Sequence, residues 1–317
     1  MAMGALATDK NLRLLDGLPD SQAPDHRRAC RPFAENCGFT IAESAQMVVL
    51  FDDQLAMELG ATVFAAATDV FVNADGHKKS ISGPGVGNYI TMAKAVAAAR
   101  AVVGEKALRT AGMVQAHGTG TIQNRITESR IISETAKAFG IEKWPVAAMK
   151  SYLGHTLGSA SGDQITSTLG IWRHGWVPGI HSIDEVAEDV NQDRLQLSPD
   201  HQQTDTESLQ YSIINSKGFG GNNATATLLS PTVARRMLQM RYSGTEWTAW
   251  QHANEAVRER QQQYDDDMIA GKRMPIYKFD HGVLGDDDVQ MDAHELRIAD
   301  KKVVLDLESP YDDMRID

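Results

Sequence analysis

Two histidines, a lysine and a glycine-rich turn are the residues of this chain most able to do chemistry together. His117 begins the run HGTGT, and Lys150 and His155 are the first and last residues of the run KSYLGH. A third run, GFGGNN, covers residues 218–223. Neutral imidazole N–H groups can hold a developing enolate oxygen near pH 7, and each preorganised donor stabilises the transition state by about 3 kcal/mol. The three runs predict a site that surrounds one carbonyl group.

The other residues of these runs suit supporting roles. Lys150 can supply a fixed positive field or a hydrogen-bond chain. The turn Gly218-Phe219-Gly220-Gly221 can direct backbone N–H groups at an anion, because glycine tolerates the left-handed conformations that such a nest requires. Phe219, the bulky residue of the turn, is placed to gate access. Each signal alone also fits a structural histidine, a solvated lysine or an ordinary turn, but the ordered set favours function.

Predicted strands deliver these residues to loops at strand ends, where functional residues are common. A strand over residues 112–116 ends at His117, and a strand over residues 146–149 ends at Lys150. The β-rich segments 210–215 and 224–229 flank the glycine turn and predict a hairpin. The remaining predicted elements are helices over 89–103, 124–139 and 164–172, a loop over 73–88, and strands over 46–51 and 61–72 with a short helix between them that ends at Gly60.

The composition changes after Pro231, and we divide the chain there into residues 1–231 and a charged C-terminal extension, residues 232–317. Trp247, Trp250 and the apolar residues that follow have helical spacing and predict an amphipathic helix of about six turns. We also predict irregular chain over residues 275–284 and a last strand over residues 302–307.

Charge and cysteine content exclude several classes of protein. The formal net charge of −11 over 317 residues comes without a basic block, so we expect no nucleic-acid partner. Two cysteines provide neither a disulfide framework nor paired zinc ligands, which fits a reducing compartment. We find no apolar segment of membrane-spanning length and no positively charged leader, and we therefore expect a cytoplasmic protein with no membrane contact.

From about Met3 to Leu229 the chain resembles the second half of the β-ketoacyl synthases. The three runs carry the resemblance, together with Arg31-Pro32-Phe33 and Gly38-Phe39. It implies an α/β fold, specifically the C-terminal half of the thiolase-like αβαβα architecture, with the partly helical extension added. It also implies decarboxylative Claisen condensation in fatty acid synthesis, with acyl and malonyl acyl carrier protein as partners and no cofactor or metal.

The resemblance assigns a role to each site residue. His117 and His155 would contact the malonyl thioester carbonyl, with Lys150 supporting them. Phe219 would be the gating residue, and its N–H would form one arm of the oxyanion hole. The substrate-binding residues would be the other polar and glycine residues of the motifs, namely Thr119, Thr121, Gly218, Gly220 and Gly221.

The nucleophilic cysteine that this family requires is missing from the motifs. Cys30 lies in an electropositive run but is followed by Arg31-Pro32, so it opens no apolar helix that would lower its pKa. Cys37 has the setting of a small packing residue. We expect a fragment or split subunit that is completed by an N-terminal synthase half, or a homo-oligomer, because an isolated half would expose an apolar face.

Several residues depart from the family pattern. Asn124-Arg125 occupy the place of the usual Gly-Asp, and Gln164 replaces a frequent glutamate beside Asp163, which makes a cation site doubtful. Tyr152 and residues 42–45 also differ from the pattern, which suggests an atypical branch of bacterial-type synthases.

Three functions remain open. The chain is half of a condensing enzyme, a non-catalytic partner subunit that shapes the acyl pocket of an active synthase, or a malonyl decarboxylase. A serine hydrolase is disfavoured because the run Gly158-Ser159-Ala160-Ser161-Gly162 has alanine at its centre. Zinc ligation by the two histidines lacks a third ligand in a recognisable spacing.

Overall fold

The computed structural model describes residues 6–76, 85–274, 276 and 278–316. Its internal contacts define two compact units, Met1–Arg258 and Glu259–Asp317. This division lies within a helix and falls later than the change in composition after Pro231.

A six-stranded mixed sheet is the centre of the first unit. Its strands lie in the order β1-β8-β7-β2-β3-β5, and a separate two-stranded sheet pairs β4 with β6. The strands are β1 (Ala66–Ala74), β2 (Gly112–Gln115), β3 (Trp144–Ala147), β4 (Trp176–Val177), β5 (Leu195–Gln196), β6 (Gln202–Gln203), β7 (Tyr211–Gly218) and β8 (Asn222–Leu229). β2 runs parallel to β3 and β7, whereas β7 and β8 form the predicted antiparallel hairpin.

The described part of the chain contains eight α-helices. They are α1 (Asp9–Leu15), α2 (Asp53–Glu58), α3 (Val86–Thr110), α4 (Ile122–Phe139), α5 (Lys150–Leu153), α6 (Ala160–His174), α7 (Pro231–Arg241) and α8 (Gly244–Ile269). α4 ends at Gly140, whose φ of 70° is a left-handed conformation that glycine adopts easily. α7 begins after Ser230, whose side chain accepts the Val233 N–H, and has Pro231 in its first turn.

Alternation along the strands divides the core into two apolar clusters. Val114 of β2 and Ile213 of β7 belong to one cluster with residues of α3 and α4. Met113 and Ile214, their neighbours in sequence, belong to the other cluster with Ile171 of α6. Since successive side chains of a strand point to opposite faces, the central strands of the sheet are buried between helical layers. The layered α/β fold predicted from the sequence is confirmed.

Part of the C-terminal extension packs within the first unit. Trp250 of α8 is buried, and its Nε1–H donates to the Ala61 carbonyl oxygen at 3.2 Å. Asn254 Nδ2 donates to the Gly60 carbonyl oxygen at 3.0 Å, and Tyr242 Oη donates to Asp53 at 2.8 Å. The predicted amphipathic helix therefore exists, and its apolar stripe is docked at the Trp250 end.

The second unit contains a small antiparallel sheet in the order β11-β10-β9. Its strands are β9 (Val289–Met291), β10 (Glu295–Ile298) and β11 (Lys301–Val304). Glu295 pairs with Arg297 at 2.7 Å and with Lys302, which joins β10 to β11 on one face.

Some predicted elements differ from the structure. Residues 46–51 form no strand, because none of the described strands pairs with them, and Met47, Val49 and Leu50 are more than 70% exposed. The strand predicted over residues 61–72 begins only at Ala66. The last strand is Lys301–Val304 and not 302–307. Residues 77–84 of the predicted loop 73–88 lie outside the described residues, as do Pro275 and Tyr277 of the predicted irregular segment.

Candidate active site

The three motifs meet at one edge of the large sheet. His117 follows the last residues of β2, Lys150 begins α5 just after β3, and the glycine turn follows β7. β2, β3 and β7 are mutually parallel, so their carboxyl ends lie at the same edge. The sheet topology thus gathers residues that are about 100 positions apart in sequence.

The two histidine rings are buried and in contact. Their centroids are 5.2 Å apart with the planes at 81°. His155 Nδ1 accepts the Leu157 N–H at 3.1 Å, which leaves the ring proton on Nε2. Lys150 Nζ donates to the His117 carbonyl oxygen at 2.6 Å and lies 3.5 Å from His117 Nδ1. Both rings thus have an Nε2–H available as a donor when they are neutral.

Burial keeps these histidines neutral. Burial lowers the pKa of His117 well below its usual value, and the nearby Lys150 charge lowers that pKa further. The same two causes bring the pKa of His155 to about 4. Burial also lowers the pKa of Lys150 to about 8, against the opposing charge of Glu128. Near pH 7 the site therefore has two neutral imidazoles beside one ammonium group.

Glu128, which the sequence analysis missed, fixes the start of the first motif. It is fully buried on α4, and its carboxylate accepts the N–H groups of His117 at 2.7 Å and Gly118 at 2.9 Å. Asn124 Nδ2 and Asn215 Nδ2 also donate to it, at 2.8 and 2.7 Å. The sequence did contain a signal for this residue, because Glu128 lies three positions before Ile131 and so on the same buried face of α4. Glu128 is a positioning residue because it holds the His117 backbone.

The threonines of the first motif form a pair beside the histidines. Thr119 is buried, and its Oγ1 lies 3.0 Å from Thr121 Oγ1. Gly120 between them has no room for a side chain, since an added Cβ would lie 2.5 Å from the Gly38 carbonyl oxygen. The two hydroxyls can bind a polar substrate arm, which remains a prediction.

Two phenylalanines connect the glycine turn with His155. Phe219 is 56% exposed, and Gly220 and Gly221 both have φ of 81°. The ring of Phe39 lies 6.3 Å from that of Phe219 and 5.3 Å from that of His155, measured between centroids. The glycines Gly218, Gly220 and Gly221 therefore place an exposed aromatic ring close to the buried histidines. The gating and oxyanion roles of the turn remain predictions.

A segment far away in sequence supports the second motif. The His155 N–H donates to the Thr40 carbonyl oxygen at 2.6 Å, and the Ala42 N–H donates to the His155 carbonyl oxygen at 3.0 Å. Ile41 and His155 consequently form a parallel bridge. Residues 39–42 thus pack against the ring of His155 and also hold its backbone.

The residues at and beside the departures from the family pattern have hydrogen-bond, ion-pair or stacking partners in the structure. Arg125 is buried, binds Asp189 through two nitrogens at 2.8 and 2.9 Å, and also binds Glu35 at 2.9 Å. Asp163 accepts from Thr156 Oγ1 at 2.5 Å. Tyr152 stacks on His181 with the ring centroids 4.2 Å apart. The reversal of charge at Arg125 is therefore balanced by two carboxylates.

Neither cysteine has the environment of an activated thiolate. Cys30 is buried, and burial raises the pKa of its thiol to about 11 in spite of the Lys150 charge. Burial also raises the pKa of the Cys37 thiol. The positive run around Cys30 is thus outweighed by desolvation, because burial disfavours the charged form.

In the part of the chain that the structure describes, no group of three or more His, Cys, Asp or Glu side chains is arranged to hold a metal ion. Nor does that part contain a helix of the length and apolarity that a membrane crossing requires.

Comparison with known proteins shows the family to which the chain belongs. The family model described as the β-ketoacyl synthase C-terminal domain matches residues 64–184. The β-ketoacyl-[acyl-carrier-protein] synthase FabY of Pseudomonas aeruginosa is 49% identical over 297 residues, which are 94% of this chain and 46% of that protein. The 3-oxoacyl-[acyl-carrier-protein] synthase 2 of Vibrio cholerae is 30% identical over 63% of this chain and 46% of its own length.

Solved structures agree with this placement. The crystal structure of the ketosynthase FabY from P. aeruginosa superposes with a TM-score of 0.84 at 47% identity, over 99% of this chain and 49% of that one. The ishigamide ketosynthase/chain length factor superposes with a TM-score of 0.55 at 26% identity, over 66% of this chain and 48% of that one. The fold is the thiolase-like fold of these ketosynthases. The chain belongs to the β-ketoacyl-[acyl-carrier-protein] synthase family, and it spans about half the length of the relatives that it matches.

Proposed function

We propose that this chain supplies the enolate-stabilising half of a decarboxylative condensing site in cytoplasmic fatty acid synthesis. A second half, in the same protein or in a partner, supplies the acylated cysteine. The observation that carries the proposal is the pair of neutral histidines beside Lys150, buried in contact at the carboxyl ends of parallel strands.

The geometry supports a specific sequence of bond changes. The malonyl carboxylate leaves as carbon dioxide, and the electron pair of the broken bond becomes the enolate of the thioester. The Nε2–H groups of His117 and His155 donate to the enolate oxygen, with the Lys150 charge nearby. The enolate carbon then attacks the acyl thioester on the second half. The new carbon–carbon bond forms as the cysteine thiolate leaves.

The environments of the two cysteines favour a nucleophile that is supplied by the second half. The thiol of Cys30 has a pKa of about 11 and is buried, so it is almost wholly protonated near pH 7. The exposed apolar residues of segment 47–51 provide a face for a second half. Acyl carrier protein is the proposed carrier of both substrates. The 49% identical synthase of P. aeruginosa is named for acyl carrier protein.

Malonyl decarboxylation without condensation is the second candidate. The observation that favours it is that the enolate-holding donors are assembled by residues of this chain alone. A non-catalytic partner subunit is the remaining alternative, and it predicts binding without either reaction.

Intact-protein mass spectrometry with acyl carrier thioesters tests the proposal. The chain would be incubated alone and with a separately produced N-terminal half of a relative such as P. aeruginosa FabY. We expect acyl mass on the added half only, and a 3-oxoacyl product only in the mixture. Acyl mass on Cys30 or Cys37 would overturn the proposal that the second half supplies the nucleophile.

Matched variants assign the roles of the two halves. His155→Ala is expected to keep acylation of the added half but lower condensation by at least about 100-fold, since one preorganised donor is lost. His252→Ala, at an exposed position of α8, is the control and should leave condensation unchanged. Release of carbon dioxide by this chain alone would support decarboxylation instead. Condensation unaffected by His155→Ala would exclude the proposed enolate site.

A further inference from the structure

Three backbone carbonyl groups converge on the side-chain amide of Gln164. Its Nε2 lies 3.1 Å from the Gln115 oxygen, 2.8 Å from the Ala116 oxygen and 3.0 Å from the Asn215 oxygen. Gln164 is 1% exposed, and Ser216 Oγ donates to its Oε1 at 3.1 Å. An amide NH₂ group has two hydrogens, so three acceptors share two donors.

Such a convergence of carbonyl oxygens concentrates negative partial charge at one buried point. Proteins commonly neutralise carbonyl clusters with a hard cation, which prefers oxygen ligands. Here the positive end of an uncharged amide occupies the point instead. The three carbonyl oxygens thus meet a hydrogen-bond donor. The neighbouring carboxylate, Asp163, instead accepts from Thr156, Ser44 and Gln46.

The carbonyl groups belong to the two strands that lead into the candidate site. Gln115 and Ala116 directly precede His117, and Asn215 lies three residues before Gly218. Gln164 itself belongs to α6, which packs against β7. The amide therefore joins the end of β2 to the end of β7.

We propose that Gln164 is a positioning residue whose amide replaces a monovalent cation and holds His117 and the glycine turn in register. The protein needs no K⁺ or Na⁺ at this point. The substitution Gln164→Glu places a fourth, charged oxygen against the three carbonyl oxygens and creates a requirement for such an ion.

Thermal unfolding of the purified chain in KCl, NaCl and choline chloride at equal ionic strength tests this proposal. The wild-type melting temperature is expected to be the same in all three salts. Gln164→Glu is expected to melt about 10 °C lower in choline chloride, because a buried carboxylate is left unpaired. It should recover at least half of that loss in KCl or NaCl, where a small cation can enter.

Gln115→Glu is the matched control. Gln115 is also fully buried, but its side-chain amide donates to Ser167 Oγ at 3.2 Å and makes no hydrogen bond to the three carbonyl oxygens among those that the structure shows for it. This variant should be destabilised equally in all three salts. The proposal is wrong if the wild type melts higher in K⁺ or Na⁺ than in choline. It is also wrong if Gln164→Glu is destabilised or unfolded equally in every salt.

The structural role does not depend on the proposed function, whereas its consequence for catalysis does. In the mixture with an N-terminal half, Gln164→Glu should lower kcat in choline and regain it in K⁺, with KM for the malonyl thioester unchanged. The two proposals can fail separately. If K⁺ or Na⁺ raises the melting temperature of Gln164→Glu but the wild-type mixture forms no condensation product, the positioning role is retained and the proposed function is rejected.

Discussion

At the scale of single residues, Glu128 has the most consequential set of contacts. Its buried carboxylate accepts four N–H groups, two of them from the backbone of the first motif. We expect Glu128→Gln to lower the free energy of unfolding by about 3 kcal/mol, because an amide NH₂ would face donors. Urea denaturation measures this loss. Glu134→Gln, at an exposed position of the same helix, should change it by no more than about 0.5 kcal/mol.

Lys150 sets the expected upper pH limit of the site. Its pKa of about 8 means that the ammonium group loses its proton as the pH rises through 8. We expect malonyl decarboxylation by the assembled site to fall above about pH 8, since the positive field beside the enolate oxygen disappears. The Lys150→Met variant should decarboxylate more slowly at every pH, and its rate should not fall above pH 8. If the rate of the variant still falls above pH 8, another group is responsible for the decrease.

At the scale of elements, α8 stabilises the first unit through one tryptophan. Trp250 is 5% exposed, and its indole N–H donates to Ala61. Trp250→Ala is expected to cost about 3 to 5 kcal/mol of unfolding free energy, the usual range for a buried tryptophan. Met240→Ala is the control, because Met240 is 88% exposed and should give a change close to zero. Equal losses in the two variants would show that α8 does not stabilise the unit.

The elements that the sequence predicted well have local signals. The β7–β8 hairpin follows from β-rich runs on either side of glycines, and α4 follows from its apolar spacing and Gly140. Residues 46–51 were predicted wrongly because a β-rich run becomes a strand only when another strand pairs with it. The histidines and the lysine were identified from motifs. Glu128 was not identified, and Phe39 was noted without its contact with His155, because these contacts join positions far apart in the chain.

At the scale of the whole molecule, the exposed segment 47–51 predicts self-association. Met47 is 96% exposed and Leu50 is 77% exposed, which is unusual for contiguous apolar residues. We expect the chain alone to form oligomers in sedimentation velocity experiments. Leu50→Asp should shift the distribution toward monomer at least about threefold. Leu14→Asp, at an exposed apolar position on α1, should not.

The neutral histidines also predict how stability depends on pH. The pKa of His155 is about 4 in the folded chain and about 6.5 when unfolded, so the unfolded state binds more protons between these values. Stability should therefore be lost as the pH falls from 6.5 toward 4. Unfolding free energies measured across this range should decline less in His155→Gln than in the wild type. His252→Gln should follow the wild type, because His252 is exposed.

The bridge between residues 40–42 and His155 has a consequence for the order of folding. The two segments of this contact are more than 110 residues apart, so the intervening chain must be closed into a loop before they meet. Contacts of such long range form slowly, because the loss of chain entropy precedes the gain. The backbone around His155 should thus be among the last parts of the first unit to become protected in pulsed hydrogen exchange, after the β7–β8 hairpin. The candidate site would then reach its final geometry only after the β7–β8 hairpin has formed.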